Sequence, residues 1–345
     1  MEAIRTLIAK RFKNIFPVTV IDSNMKTMQQ GKVTAMTEYM PEGALIITNK
    51  NYEYISSKSG LERAAERQII LEAPATLCDH DFNLHVELGC EVEGIIPRDE
   101  VQYIDGEDIK DIAILTRVGK AVCFKITGFN TLPSGKTVAY LSRRAAQKEC
   151  LDNYISTLIP GDVIPAKVTH LEGFGAFVDI GCGIVSLLSI DSISVSRISH
   201  PSVRMQTGSN IFAVVRGIDE RGRIFVSMRE LLGTWEENAA LFSEGQTVRG
   251  VIRSVEDYGI FVELTPNLAG LAEFRPDVEP GQTAAVYIKS IIPEKMKIKL
   301  IIIDAYNGIE EKGQPEYFID LQLTKHINSW RYSPISSNRI IETVF

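Results

Sequence analysis

The chain has 345 residues, 45% of them hydrophobic and 23% charged, ordinary values for a globular protein that exclude a wholly disordered or collagen-like one. Its longest apolar runs, such as Leu300-Ile301-Ile302-Ile303, fall far short of the roughly 18 residues a membrane helix needs. A net charge of −7 excludes a surface that is basic throughout, so any contact with nucleic acid must come from local patches.

Residues 1–69 open with Arg5, Lys10, Arg11 and Lys13 among apolar residues, but have no unbroken apolar core or cleavage site. They read as a soluble N-terminal tail with a short helix, which the capping-box spacing Ser59-x-x-Glu62 would open. Residues 70–150 hold the weakest of three copies of one unit. There Phe82-Asn83-Leu84-His85-Val86-Glu87-Leu88-Gly89-Cys90 lies under Phe174-Gly175-Ala176-Phe177-Val178-Asp179-Ile180-Gly181-Cys182 at an offset of 92 residues. A helical connector is predicted over Arg143 to Leu158, with Ala146, Cys150, Tyr154 and Leu158 on one stripe.

Residues 158–232 are the clearest copy. Ile164, Ala166 and Val168 alternate with Pro165, Lys167 and Thr169, and Ala176, Val178 and Ile180 with Phe177 and Asp179, the period of half-buried strands. Glu230 to Phe242 is predicted as a second connector, with Leu231, Trp235, Ala239 and Phe242 on its stripe. Residues 244–304 are a shortened copy: an offset of 84 residues carries Gly161 onto Gly245, Phe174 onto Tyr258 and Phe177 onto Phe261. In residues 305–345, Ile319, Leu321 and Leu323 alternate with Phe318, Asp320 and Gln322, which predicts an extra strand in an extension packed on the third module. Five short strands with glycine-marked starts per module suit a small closed barrel.

Chemistry-bearing motifs are few. The five cysteines form no C-x-x-C pair, against structural zinc or a disulfide framework and for a reducing cytoplasm. There is no G-x-x-x-x-G-K-[ST] loop, no H-E-x-x-H and no triad spacing, so neither an enzyme nor a cofactor or metal is expected.

The runs K-V-T-H-L-E-G-F-G-A-F-V-D-I-G, S-I-D-S-I-S-V-S-R-I-S-H-P and G-I-D-E-R-G-R-I-F-V-S-M, in that order, resemble the RNA-binding domain named after bacterial ribosomal protein S1. The three copies together cover about two-thirds of the chain. The resemblance implies an all-β fold of three tandem five-stranded OB-fold barrels, joined by short helical connectors, the first module degenerate. It implies an RNA face as well. In module two this comprises Phe174, Phe177, Asp219 and Arg223, with Ser189 where the family has a histidine. In module three the matching positions hold Tyr258, Phe261, Glu273, Pro293 and Lys297; in module one, Phe82, His85, Pro97 and, approximately, Lys136.

Phase is an independent guide. With Val178 and Ile180 inside, Phe177 points out, as does Phe261 between Ile260 and Val262, and an outward ring is a surface on which an unpaired base stacks. Phe174 has core parity, and a bulge at Gly173 and Gly175 would be needed to turn it outward. Lys167, Arg249 and Arg253 share the outward face of first strands, Lys297 and Lys299 that of a last strand, and Arg197, His200 and Arg204 surround a long loop. The reading is a cytoplasmic binder of single-stranded RNA, with the ribosome as a further partner and no membrane. The competing reading is an adaptor whose diverged barrels bind protein on the ribosome or an RNA-processing complex.

Overall fold

The computed structural model describes residues 38–104, 108–308 and 315–345. Most of the N-terminal tail lies outside them. Among the described residues, two short helices, α1 (Asn49–Ile55) and α2 (Lys58–Glu66), precede the first strand. The cap of α2 is Ser57, whose hydroxyl accepts the Gly60 N–H, so the expected box at Ser59 and Glu62 sits inside the helix rather than at its start.

Three closed five-stranded barrels follow. Barrel one comprises β1 (Leu71–Cys78), β2 (Leu84–Glu87), β3 (Glu93–Ile96), β4 (Ala121–Thr131) and β5 (Thr137–Ser142), with α3 (Asp111–Leu115) before β4. Barrel two comprises β6 (Val163–Glu172), β7 (Gly175–Asp179), β8 (Val185–Ser189), β9 (Asn210–Ile218) and β10 (Ile224–Ser227). Barrel three comprises β11 (Thr247–Glu256), β12 (Gly259–Thr265), β13 (Leu268–Ala272), β14 (Thr283–Ile292) and β15 (Lys297–Tyr306). In each, the third strand runs parallel to the fifth and the first pairs with both the second and the fourth, the OB arrangement. Each first strand carries a bulge, between Ala75 and Leu77, Val168 and His170, and Ile252 and Ser254, which bends it between its two partners. Inward residues such as Leu84 and Val86, Ala176 and Val178, and Ile260 and Val262 are buried in three separate cores.

The first connector is α4 (Arg143–Asn153) and a 3-10 turn, and it buries Ala146, Cys150, Tyr154 and Leu158. The second is not one helix. Gly233, at φ +83°, breaks it, and Thr234 opens the separate helix α5 (Trp235–Ala239) through a capping box with Glu237. The C-terminal extension also departs from expectation. Residues 318–323 are bends and a turn, not a strand, and Ile319 and Leu321 pack beside Tyr317 and Ile327 on Val163, Val214 and Leu231 of barrel two. The chain is held there because the Val163 N–H donates to the Lys325 carbonyl at 2.9 Å and the Ile327 N–H to the Gly161 carbonyl at 2.8 Å. Trp330 and Tyr332 then enter the core of barrel three, where β16 (Ser329–Arg331) pairs with β17 (Glu342–Val344). The extension therefore straddles two barrels.

Buried polar joints hold the barrels together. Between one and two, Arg143 (1% exposed) donates from Nε to Glu42 Oε1 at 2.6 Å and from Nη2 to Oε2 at 3.0 Å. The Glu42 N–H donates to Asp179 Oδ2 at 2.7 Å, and Glu72 accepts the N–H groups of Gly43, Leu45 and Ile46, each at 2.9 Å. Burial pushes the Asp179 and Glu72 carboxyls up, each to about 7, with the Glu42 charge adding to both. Burial acts on Glu42 in the same direction, but the Arg143 guanidinium outweighs it and holds Glu42 below the usual carboxylate range. Between two and three, Asn267 is fully buried: its Oδ1 accepts the Val195 N–H at 2.9 Å, and its Nδ2 donates to the Arg229 and Gly233 carbonyls, both at 2.8 Å. No helix among the described residues is long and apolar enough to cross a membrane.

Candidate nucleic-acid interface

In barrel two, β7 begins at Gly175, where an added Cβ would meet the Leu188 carbonyl oxygen at 2.5 Å. Phe174 thus sits in the turn ahead of the strand, outside its alternation, and is 56% exposed. Phe177, on the strand, is half-buried and meets Phe174 edge-on, with centroids 6.0 Å apart; His170 stacks beside it at 6.5 Å. Asp219 organises the turn between β9 and β10. Its Oδ1 accepts the N–H groups of Arg221 and Arg223 at 3.0 and 2.8 Å, and its Oδ2 accepts Arg223 Nε at 2.7 Å. The backbone bond from Arg223 leads the set of contacts that hold the Asp219 carboxyl below its ordinary value. Asp219 thereby aims a guanidinium whose side chain remains 67% exposed. Ser189 Oγ lies 2.8 Å from Ser192 Oγ, so the position of the family histidine is occupied by a small hydroxyl pair.

Barrel three repeats the aromatic pair. Tyr258, 71% exposed, occupies the turn before β12 and meets Phe261 edge-on at 6.1 Å. Lys297 and Lys299 are exposed on β15, and Lys299 pairs with Leu271, itself the partner of Phe261. Arg249 is exposed too, but it lies five residues along β11 from Ser254, the partner of Phe261. At about 3.4 Å per residue, that places it about 17 Å from the aromatic pair.

Three sequence-predicted cations are drawn into joints instead. Lys167 Nζ donates to the Glu42 carbonyl at 2.7 Å, and Arg253 makes a two-pronged pair with Glu263, Nε to Oε2 and Nη2 to Oε1, both at 2.9 Å. Arg204 binds the same carboxylate from barrel two. Burial raises Glu263, but the bonds from Arg253 and Arg204 prevail and keep its carboxyl low. The outward phase of Lys167 and Arg253 is correct for their strands, but at those positions outward means toward a neighbouring segment. One exposed cation escapes period-two reasoning. Arg216 falls at the register shift opposite Phe225 and Val226, and its Nη1 donates to Ser192 Oγ at 2.7 Å. The trace it leaves in the sequence is its position next to Gly217 late in a strand.

Barrel one presents a different surface. Phe82, at φ +61°, is partly buried against the core, and the Arg98 guanidinium lies 4.8 Å from its ring centroid. Arg98 also pairs with Asp111 at 2.6 Å. His85 has Glu93 at 3.0 Å on one ring nitrogen and Asp79 at 3.3 Å on the other, and Lys136 pairs with Glu93 at 2.7 Å. The bonds from Lys136 and then His85 hold the Glu93 carboxyl below its ordinary range. Among the described residues, no group of three or more His, Cys, Asp or Glu could hold a metal ion.

The family model "S1 RNA binding domain" matches residues 157–229. The chain is 27% identical over 321 residues to the small ribosomal subunit protein bS1 of Staphylococcus aureus (strain COL), covering 85% of this chain and 79% of that protein. It is 31% identical over 251 residues to the small ribosomal subunit protein bS1 homolog of Bacillus cereus (strain ATCC 10987 / NRS 248), covering 68% of this chain and 63% of that protein.

Proposed function

For an S1-like chain, similar to bacterial bS1 over most of its length, we propose a non-catalytic role in binding single-stranded RNA, messenger or ribosome-associated, in the cytoplasm. Barrels two and three form one track. Phe174, Phe177, Tyr258 and Phe261 take bases, and Arg223, Lys297, Lys299 and Arg249 take phosphates. Asp219 positions Arg223. The observation that carries this reading is the repetition of one edge-on aromatic pair, its first ring exposed and its second half-buried, at matching positions of consecutive barrels. Such rings suit unpaired bases, whose faces a duplex hides. Similarity to a small-subunit ribosomal protein supports the ribosome as a further partner.

The test is fluorescence anisotropy with single-stranded RNA, single-stranded DNA and duplex RNA. Phe177→Ala and Phe261→Ala are each expected to weaken single-strand binding by about 1–3 kcal/mol while melting as wild type does. A large fall in melting temperature at unchanged affinity would make the rings packing residues only. A protein-binding adaptor is the second reading, favoured by the net charge of −7 and the self-paired charges of barrel one. Wild-type protein with no preference for RNA would support it.

A further inference from the structure

We infer that the fifth strands of barrels one and two carry a second base-stacking platform, Tyr140 and Phe225, each left open by a glycine on the adjoining fourth strand. The inference rests on the single-stranded RNA reading above and extends it to barrel one.

Strand register carries the argument. In barrel two, cross-strand pairing puts His170, Phe177, Leu187, Phe225 and Gly217 on one row around the barrel. The same row in barrel three is Ser254, Phe261, Leu271, Lys299 and Ser290. In barrel one it is Leu77, His85, Ile95, Tyr140 and Gly128. All these rows face outward, because the neighbours Leu188 and Val226, Ala272 and Leu300, and Ile96 and Leu141 are buried. The fifth-strand site is thus aromatic and faces glycine in barrels one and two, but is a lysine facing serine in barrel three.

An aromatic opposite a strand glycine commonly folds over it to cover bare backbone. That is not the arrangement here. A Cβ built on Gly128 or on Gly217 has no heavy atom within 4 Å, so neither ring lies over its glycine. Tyr140 is 39% exposed. Phe225 lies two strand spacings from Phe177, roughly 9–10 Å, far enough for each ring to serve its own base. The occupant that fits is an unpaired nucleobase, because the site continues the row on which Phe177 stands and offers a flat apolar face beside a vacant flank. Barrel one, whose His85 is held by carboxylates, then keeps one base contact through Tyr140. Barrel three substitutes a phosphate contact through Lys299.

The experiment uses the full chain and a single-stranded RNA long enough to span three barrels, at about 4–16 nucleotides per barrel. Phe225→Ala and Tyr140→Ala should each weaken binding by about five- to a hundredfold, equally at low and high salt, since stacking releases no counterions. Phe225→Leu and Tyr140→Leu, which retain an apolar side chain on the strand, should weaken it similarly and decide the matter if an alanine variant melts early. Photocross-linking with 4-thiouridine RNA should label the peptides bearing Tyr140 and Phe225. Wild-type affinity in the leucine variants, with Phe177→Ala weakened, would overturn this inference alone. If Phe177→Ala also binds as wild type does, the single-stranded RNA reading itself has failed.

Discussion

In barrel two the outward site on the second strand holds Phe177, with Phe174 edge-on to it and His170 stacked beside it. In barrel one the same site holds His85, clamped between Asp79 and Glu93. The strand order and the core parity are shared; the contrast between the two surfaces lies in the outward side chains. In barrel two Asp219 holds the single guanidinium of Arg223, beside an aromatic pair, whereas in barrel one Glu93 is shared between the Lys136 ammonium and the His85 ring. An OB barrel is therefore a scaffold whose inward residues specify the fold and whose outward residues are free to specify a task.

That contrast sets the proposed RNA-binding surface of barrel two against the self-paired surface of barrel one, and it can be broken or sharpened by measurement. The largest effect should come from Arg143→Ala, which takes from buried Glu42 its two-pronged partner and leaves it Arg117 at 3.5 Å. A loss of about 3–5 kcal/mol in unfolding free energy is expected in urea denaturation, against a change within about 0.5 kcal/mol for Arg223→Ala on the surface. Equal losses would erase the distinction.

Stability against pH comes next. Asp179 and Glu72, raised to about 7, hold protons in the folded protein where the unfolded chain has lost them. Their contribution therefore falls as pH rises from about 4 to 7. Glu42 and Glu263 are depressed, so theirs is present above about 4.5 and is lost as pH falls further. Melting temperature should peak in mild acid, and a curve still climbing between pH 6 and 8 would contradict the burial of the joint between barrels one and two.

A smaller change is expected from Glu93→Gln, which frees Lys136 and leaves His85 to Asp79. It should strengthen RNA binding by less than about tenfold at low salt, as one exposed cation warrants, and unchanged affinity would mean that barrel one lies off the track. Smallest is the salt effect. With Lys167 and Arg253 engaged in joints, about three phosphates are contacted at once, giving a slope of log affinity against log salt near about −2. Arg223→Ala should make that slope shallower by about 0.7.

Much of this molecule is legible in one dimension. The period-two runs and the offset repeats mark three barrels because strand parity is local: a residue's side of the sheet follows from its neighbours'. The same parity marks Phe177 and Phe261 as outward residues. Parity says nothing, however, about what outward meets. Lys167 and Arg253 have the same phase as solvent-facing residues, yet one ends on the Glu42 carbonyl and the other on Glu263. Phe82 matches Phe174 by position, but no flanking glycine releases it, and it settles against the core beneath Arg98. Glu42 and Arg143 are 101 residues apart in the chain, and Val195 and Asn267 are 72 apart. No local pattern announces such pairs, because each is formed only when two finished barrels, or a barrel and a passing segment, exclude water between them. The repeat, the barrels and the outward rings were written in sequence periodicity; which charges stay free for a phosphate was decided by docking, since a charge removed from water must find its partner there.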